Sequence, residues 1–122
     1  MKKVLVINPN TSKAMTKSIK DTIDKLNSNY EVTVTNPKYG PESLESFYDY
    51  QIAGREILKI LEREHGKFDG ILISCFGDPG LYAAKEISNC PAIGIAEASL
   101  SLSLLLGKKF SIITALNKAT YM

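Results

Sequence analysis

The side chains in this 122-residue sequence with the most chemistry to offer are two cysteines, one histidine and a set of amides and hydroxyls placed where apolar runs end. Cys75 closes the run Ile71-Leu72-Ile73-Ser74 and leads straight into Phe76-Gly77-Asp78-Pro79-Gly80. A thiol at the end of a buried strand, where the chain turns into a helix, lies near N–H groups and partial positive charge that favour the thiolate. Lowering an ordinary thiol pKa of about 8.5 only modestly populates the anion at neutral pH. The competing reading is a small hydrophobe packed behind the strand.

Several cysteine chemistries fail on spacing. A phosphatase-type C-x5-R needs arginine where Leu81 stands, and a thioredoxin-type C-x-x-C needs cysteine where Asp78 stands. A cysteine-histidine hydrolase would have to use His65, the one histidine, which ends a charged helical stretch before Gly66 and suits ordinary helix-end solvation. Asp78-Pro79 reads as a helix cap followed by a first-turn proline, since a carboxylate beside a thiolate opposes its ionisation. Cys90, before Pro91, reads as a packing residue, and Glu97 stands at the next strand-to-helix junction, facing the same rim as Cys75.

Asn8-Pro9-Asn10-Thr11-Ser12 puts amide and hydroxyl donors at a helix start, where an anionic or carbonyl oxygen could be held. Plain turn and capping chemistry accounts for Ser12 and partly for Asn10. The segment has neither the G-x-x-x-x-G-K-[ST] nor the G-x-G-x-x-G glycines of nucleotide loops. A response-regulator domain would need acidic side chains after this strand, where Asn8 and Asn10 stand.

Positioning these groups requires a regular frame, and the hydrophobic periodicity supplies one. Val4-Leu5-Val6-Ile7 reads as a strand buried on both faces. From the N-cap Ser12, residues Ala14, Met15, Ile19, Ile23 and Leu26 recur at helical spacing. Tyr30 to Thr35 alternates as a strand, and Asn36 to Ser46 reads as a loop rimming the site. Ile52, Ala53, Ile57, Leu58 and Leu61 mark a second helix, and Ile71 to Cys75 a third strand. A third helix follows through about Ile87, then a short strand Pro91 to Ile95, then a helix Ala96 to Leu106 ended by Gly107.

This βαβαβαβα order predicts an α/β fold: a parallel four-stranded sheet with helices on both faces. Ligands of such sheets bind beyond the carboxyl ends of the strands, the rim that carries Asn8 to Ser12 and Cys75 to Gly80. Lys108-Lys109-Phe110-Ser111-Ile112-Ile113 echoes Lys2-Lys3-Val4-Leu5-Val6-Ile7. It is expected to be a fifth strand beginning a second lobe, so that residues 1–107 form the first lobe and 108–122 the start of another, although it could equally be one more strand of the same open sheet.

Fifteen basic against thirteen acidic residues, a net charge of +2, argue against nucleic acid or an anionic membrane as partner. The apolar runs are too short for a signal-peptide core or a membrane span. Two cysteines without metal spacing suggest a reducing, cytoplasmic setting and no metal site.

Three segments together, Ile7-Asn8-Pro9-Asn10-Thr11-Ser12, Ser74-Cys75-Phe76-Gly77-Asp78-Pro79-Gly80-Leu81 and Gly94-Ile95-Ala96-Glu97-Ala98, resemble the hydantoin and allantoin racemase branch of the aspartate/glutamate racemase superfamily. Gly40-Pro41-Glu42-Ser43-Leu44-Glu45 resembles the same branch's loop after its second strand. The resemblance implies a cofactor-independent racemase of two similar lobes with a small substrate, hydantoin-like or an amino-acid derivative, held between two cysteines. Carried onto this chain, it makes Cys75 the catalytic thiol of the first lobe, and has Asn10, Thr11 and the backbone at Phe76 and Gly77 bind the substrate. The second thiol belongs to a second lobe, and Cys90 matches no such motif, so a partial racemase lacking half its catalytic pair is expected. A lobe without its mate exposes apolar surface, which makes a homo-oligomer the expected state. Related reactions on the same geometry, maleate isomerisation or amino-acid racemisation, and a non-catalytic flavodoxin-like binding module are the alternatives. Cysteine followed by Phe-Gly-Asp-Pro-Gly favours the hydantoin branch, because the amino-acid branch resembles cysteine followed by Asn-Thr.

Overall fold

The structure, a computed structural model, describes residues 1–26 and 29–118. Strands β1 (Lys2–Ile7), β2 (Tyr30–Thr35), β3 (Gly70–Ile73) and β4 (Ala92–Gly94) alternate with helices α1 (Lys13–Asp24), α2 (Phe47–Arg63), α3 (Leu81–Ile87) and α4 (Ile95–Leu106). The strands form one parallel sheet in the order β2-β1-β3-β4. Val4 pairs with Val32 on one side and Gly70 on the other, and Ile73 with Gly94. The chain leaves β1 toward β2 and later returns to place β3 on the opposite side, so the strand order reverses between β1 and β3. In doubly wound sheets that reversal opens a crevice at the carboxyl ends of those two strands.

Period-two alternation divides the sheet residues between its faces. Leu5, Ile7, Ile71, Ile73 and Ala92 point to one side and meet Ile57, Ile60 and Leu61 of α2 and Leu81 and Ala84 of α3. Ile7, Ile57 and Ile73 are fully buried, each side chain contributing roughly 2 kcal/mol by its removal from water. The opposite face carries Val4, Val6 and Leu72. Ile19 and Ile23 of α1 lie against Val6 and Leu72 there, and a groove of about 560 Å3 runs on over Val4, Leu72 and Ile93. That groove is bounded by Lys2, Asp69 and Pro91, at the end of the sheet away from Cys75.

The expected strands and helices are present, with differences at their bounds and at the carboxyl end of the chain: β3 ends at Ile73, two residues before Cys75, and β4 spans only Ala92–Gly94. Helix α2 begins at Phe47, five residues before the first periodic apolar position, because Ser46 caps it. The Ser46 hydroxyl accepts from the Asp49 amide at 3.2 Å, and the Asp49 carboxylate accepts from the Glu45 amide at 3.0 Å. Helix α4 starts at Ile95, which had been counted with the preceding strand. Finally, Lys108 to Ser111 and onward to Lys118 form no strand among the described residues. A parallel strand acquires its hydrogen bonds from neighbours of the same sheet, and the described residues place none beside this segment. Residues 119–122 of the expected fifth strand lie outside the described residues.

Candidate active site

Three loops leave the carboxyl ends of β1, β2 and β3. The first follows β1. The Asn8 amide extends the ladder to the Thr35 carbonyl at 2.8 Å, and the Asn8, Pro9 and Asn10 side chains are then folded inward. Asn8 Nδ2 donates to Asn10 Oδ1 at 2.8 Å and to Thr16 Oγ1 at 3.0 Å, while the Ser12 amide donates to Asn10 Oδ1 at 2.9 Å. Buried amides left unpaired would cost about 1–3 kcal/mol each, so this closed set fixes the loop. The Ser12 hydroxyl caps α1 by accepting from the Met15 amide. The second loop, after β2, is tied to the first by the Thr11 amide, which donates to the Pro41 carbonyl at 3.0 Å.

The third loop carries Cys75. The Ser74 amide donates to the Ile7 carbonyl at 2.8 Å, holding the end of β3 against β1, and the Asp78 amide donates back to the Cys75 carbonyl at 3.1 Å. Gly77, at φ +143°, and Asp78, at φ +48°, turn the chain sharply. The Asp78 carboxylate reaches across to the start of α4, accepting from the Ala96 amide at 3.0 Å and the Glu97 amide at 2.7 Å. Asp78 therefore caps α4 from another loop, and Gly80, at φ +70°, stands at the N-cap position of α3. This corrects the reading of Asp78-Pro79 as the cap and first turn of α3. Gly94 makes the arrangement possible, since a Cβ there would lie 2.1 Å from the Asp78 carboxylate. Asp78→Ala strands two α4 amides and is expected to lower stability by about 2 kcal/mol. Urea unfolding measures it, and an unchanged midpoint would show that the loop is held by something else.

Cys75 is half-buried and free. Its sulfur lies 3.7 Å from the Tyr50 hydroxyl, which also donates to the Phe76 carbonyl at 3.2 Å. The expectation of a thiolate does not hold in this chain. Burial pushes the Cys75 thiol above its ordinary value, the Tyr50 hydrogen bond draws it partly back, and the Asp78 charge pushes it up again. Helix α3 begins only at Leu81, beyond a turn that contains the Asp78 carboxylate. Two clefts flank the loop. One of about 510 Å3 lies beyond Tyr50 and Gly77, with Arg55 and Pro79 on its walls. The other, of about 270 Å3, lies between Phe76, Leu100 of α4 and Ile112.

The structure thus brings Asn10, Thr11, Cys75, Phe76 and Gly77 to the same edge of the sheet, on the loops after β1 and β3. The Asn10 side chain is largely occupied within its own loop, its Nδ2 reaching the Met15 sulfur, and the Thr11 amide is committed to Pro41. Glu97 is paired with Lys85. Cys90 is partly buried against the core, and His65 is exposed. Tyr50 was not among the sequence candidates, although the Ser46-x-x-Asp49 cap that places it in the first turns of α2 can be read from the residues. Among the described residues no group of three His, Cys, Asp or Glu side chains is gathered closely enough to hold a metal ion.

Comparison with known proteins places the whole chain among its relatives. The profile of the Asp/Glu/Hydantoin racemase family matches residues 4–121. The chain belongs to that family. This racemase-family chain is 38% identical to the hydantoin racemase of Pseudomonas sp. (strain NS671), over 98% of this chain and 49% of that protein. It is 36% identical to the hydantoin racemase of Paenarthrobacter aurescens, over 93% of this chain and 50% of that one. Among solved structures, an allantoin racemase from Klebsiella pneumoniae superposes with a TM-score of 0.93 at 36% identity, over 99% of this chain and half of the other. An allantoin racemase from Pseudomonas fluorescens does so with a TM-score of 0.88 at 26% identity, again over half its length. The racemase-family chain spans about half the length of the relatives it matches.

Proposed function

We propose that this chain supplies one lobe of a cofactor-independent racemase acting on hydantoin-like rings, with Cys75 as the acid-base group on one face of the stereocentre. The observation that carries the reading is the place of Cys75, just past the carboxyl end of β3 at the point where the strand order reverses, in a lobe that superposes on half of an allantoin racemase. Inverting a carbon stereocentre requires a proton to leave one face and another to arrive at the opposite face, so two acid-base groups must flank the carbon. One thiol cannot serve both faces. Full inversion therefore needs a second lobe with an acid-base group of its own, while the thiol of this lobe exchanges the proton on its own face.

In this arrangement the raised thiol of Cys75 is protonated at neutral pH and begins the reaction as the acid. Run in the other direction, the ionised fraction of the same thiol is the base. Negative charge developing on the ring carbonyl next to the stereocentre needs hydrogen-bond donors, each contributing about 3 kcal/mol. The Thr11 hydroxyl, Asn10 Nδ2 after release from Met15, and the amides of Phe76 and Gly77 are the donors proposed for that task. A reducing, cytoplasmic setting keeps the thiol free, and the exposed Leu104, Leu105, Leu106 and Ile113 provide apolar surface for association between copies.

Proton NMR in deuterium oxide, with allantoin and a panel of 5-substituted hydantoins, tests the proposal. The expected result is loss of the stereocentre proton signal for at least one ring faster than in buffer, with free amino acids unchanged. Exchange of amino acids but not of rings would move the chain to a different branch of the family. Exchange of neither would remove the catalytic reading.

A further inference from the structure

We infer that Tyr50 is a positioning residue for the Cys75 proton: its single hydroxyl hydrogen rests on the Phe76 carbonyl while the sulfur keeps its own hydrogen, and turns to the sulfur once that hydrogen has left. The geometry is specific. One phenol oxygen is 3.2 Å from the Phe76 oxygen and 3.7 Å from Sγ of Cys75, within reach of both by rotation about a single C–O bond. A phenol can donate only once but can also accept. With a neutral thiol, S–H donates to the tyrosine oxygen and O–H donates to the carbonyl. With a thiolate, O–H donates to sulfur, and a charge-assisted hydrogen bond replaces a neutral one.

The surrounding backbone keeps the ring in place. Tyr50 lies within the first turns of α2, its amide donating to the Ser46 carbonyl at 3.1 Å. Gly77 leaves the space the ring fills, since a Cβ there would be 2.4 Å from a ring carbon of Tyr50. The charged or titratable groups facing the sulfur are Tyr50 from α2 and Asp78 from the sulfur's own loop, and they act in opposite senses. Burial, with the Cys75 charge adding to it, pushes the Tyr50 phenol well above its ordinary value, so its hydrogen is still present while the thiol ionises.

The racemase reading gives this switch its purpose, but the contact can be tested without it. In a Cys90→Ser background, so that Cys75 is the one thiol, the rate of alkylation by iodoacetamide is followed against pH for the full chain with Tyr50 and with Tyr50→Phe. Phenylalanine keeps the ring against Gly77 and removes only the hydroxyl. The expected result is a midpoint at least about half a pH unit higher, equivalent to about threefold less thiolate below the midpoint, with an undiminished rate at the alkaline plateau. A purely structural or covering role would change the plateau and leave the midpoint in place, which overturns the inference.

A second readout needs no substitution at Tyr50. The difference in the near-ultraviolet tyrosine band between the parent protein and Cys75→Ser, in which the ionisation of the other five tyrosines cancels, should change with the thiol's own midpoint. A difference that stays flat across that midpoint also overturns the inference. If the midpoint moves while no ring exchanges its proton, Tyr50 stands and the racemase reading falls. If rings exchange and the midpoint does not move, the reverse holds.

Discussion

Alanine in place of Gly77 is expected to be among the most damaging single changes in the protein, lowering stability by about 3 kcal/mol and detaching the tyrosine from the thiol. Two independent costs add at this position. The backbone sits at φ +143°, a region nearly closed to residues with a Cβ, and occupying it costs about 1–3 kcal/mol. The new methyl group would also stand 2.4 Å from a ring carbon of Tyr50 and 2.6 Å from its hydroxyl oxygen. Overpacking of that kind costs roughly a further 1–3 kcal/mol unless the ring moves. If the ring moves, the contact to Cys75 at 3.7 Å is lost. Urea unfolding and the pH profile of Cys75 alkylation measure the two effects. A variant with the parent midpoint in both would mean that the loop conformation described for residues 75–80 is wrong.

Replacing Cys75 by serine is expected to remove at least about 99% of ring proton exchange, because positioned acid-base groups contribute roughly 10²–10⁴-fold and an alcohol at this position is far too weak an acid to share the role. The fold should survive. Serine is slightly smaller, Cys75 is only half-buried, and a hydroxyl can still meet Tyr50, so unfolding should change by less than about 1 kcal/mol. The pairing of unchanged stability with lost exchange separates a chemical role from a packing one. Cys90→Ser should leave exchange intact, because Cys90 packs against the core beside Leu61 and Phe68, away from the loop of Cys75. Exchange in Cys75→Ser within about twofold of the parent would place the chemistry on another group.

Much of this frame is legible in the residues, and the gaps have particular causes. The branched run Val4 to Ile7 and the run Ile71 to Ile73 announce strands because a sheet covered on both faces asks for apolar residues at successive positions. Tyr30 to Thr35 has the observed bounds. The rim follows from the order of elements, since parallel strands joined by helices end at a common edge, which brings Asn10, Thr11 and Cys75 together across more than sixty residues of sequence.

Contacts decided only in three dimensions were not legible. The loop bound at Ser46 agrees with the start of α2, but apolar spacing begins only at Ile52 and gives Tyr50, in the first turns, no signal of its own. The proton state of Cys75 was misjudged because proximity to a helix start in sequence says nothing about desolvation, or about the carboxylate that the turn at Asp78 inserts between the sulfur and that helix. Asp78 was assigned to the helix that follows it in sequence. Its positive φ instead aims the side chain at α4. The segment from Lys108 carries a strand's residues without a strand's neighbours, and hydrogen bonding in a sheet depends on both.

The central claim is that one sulfur serves one face of a ring carbon. The most direct test incubates the separate enantiomers of a 5-alkyl hydantoin with the 122-residue protein in deuterium oxide and follows deuterium content and chirality together. A single thiol on one face should label one enantiomer with retention, leave the other at the buffer rate, and lose that labelling in Cys75→Ser. Equal labelling of both enantiomers, or labelling that persists in Cys75→Ser, would contradict the account.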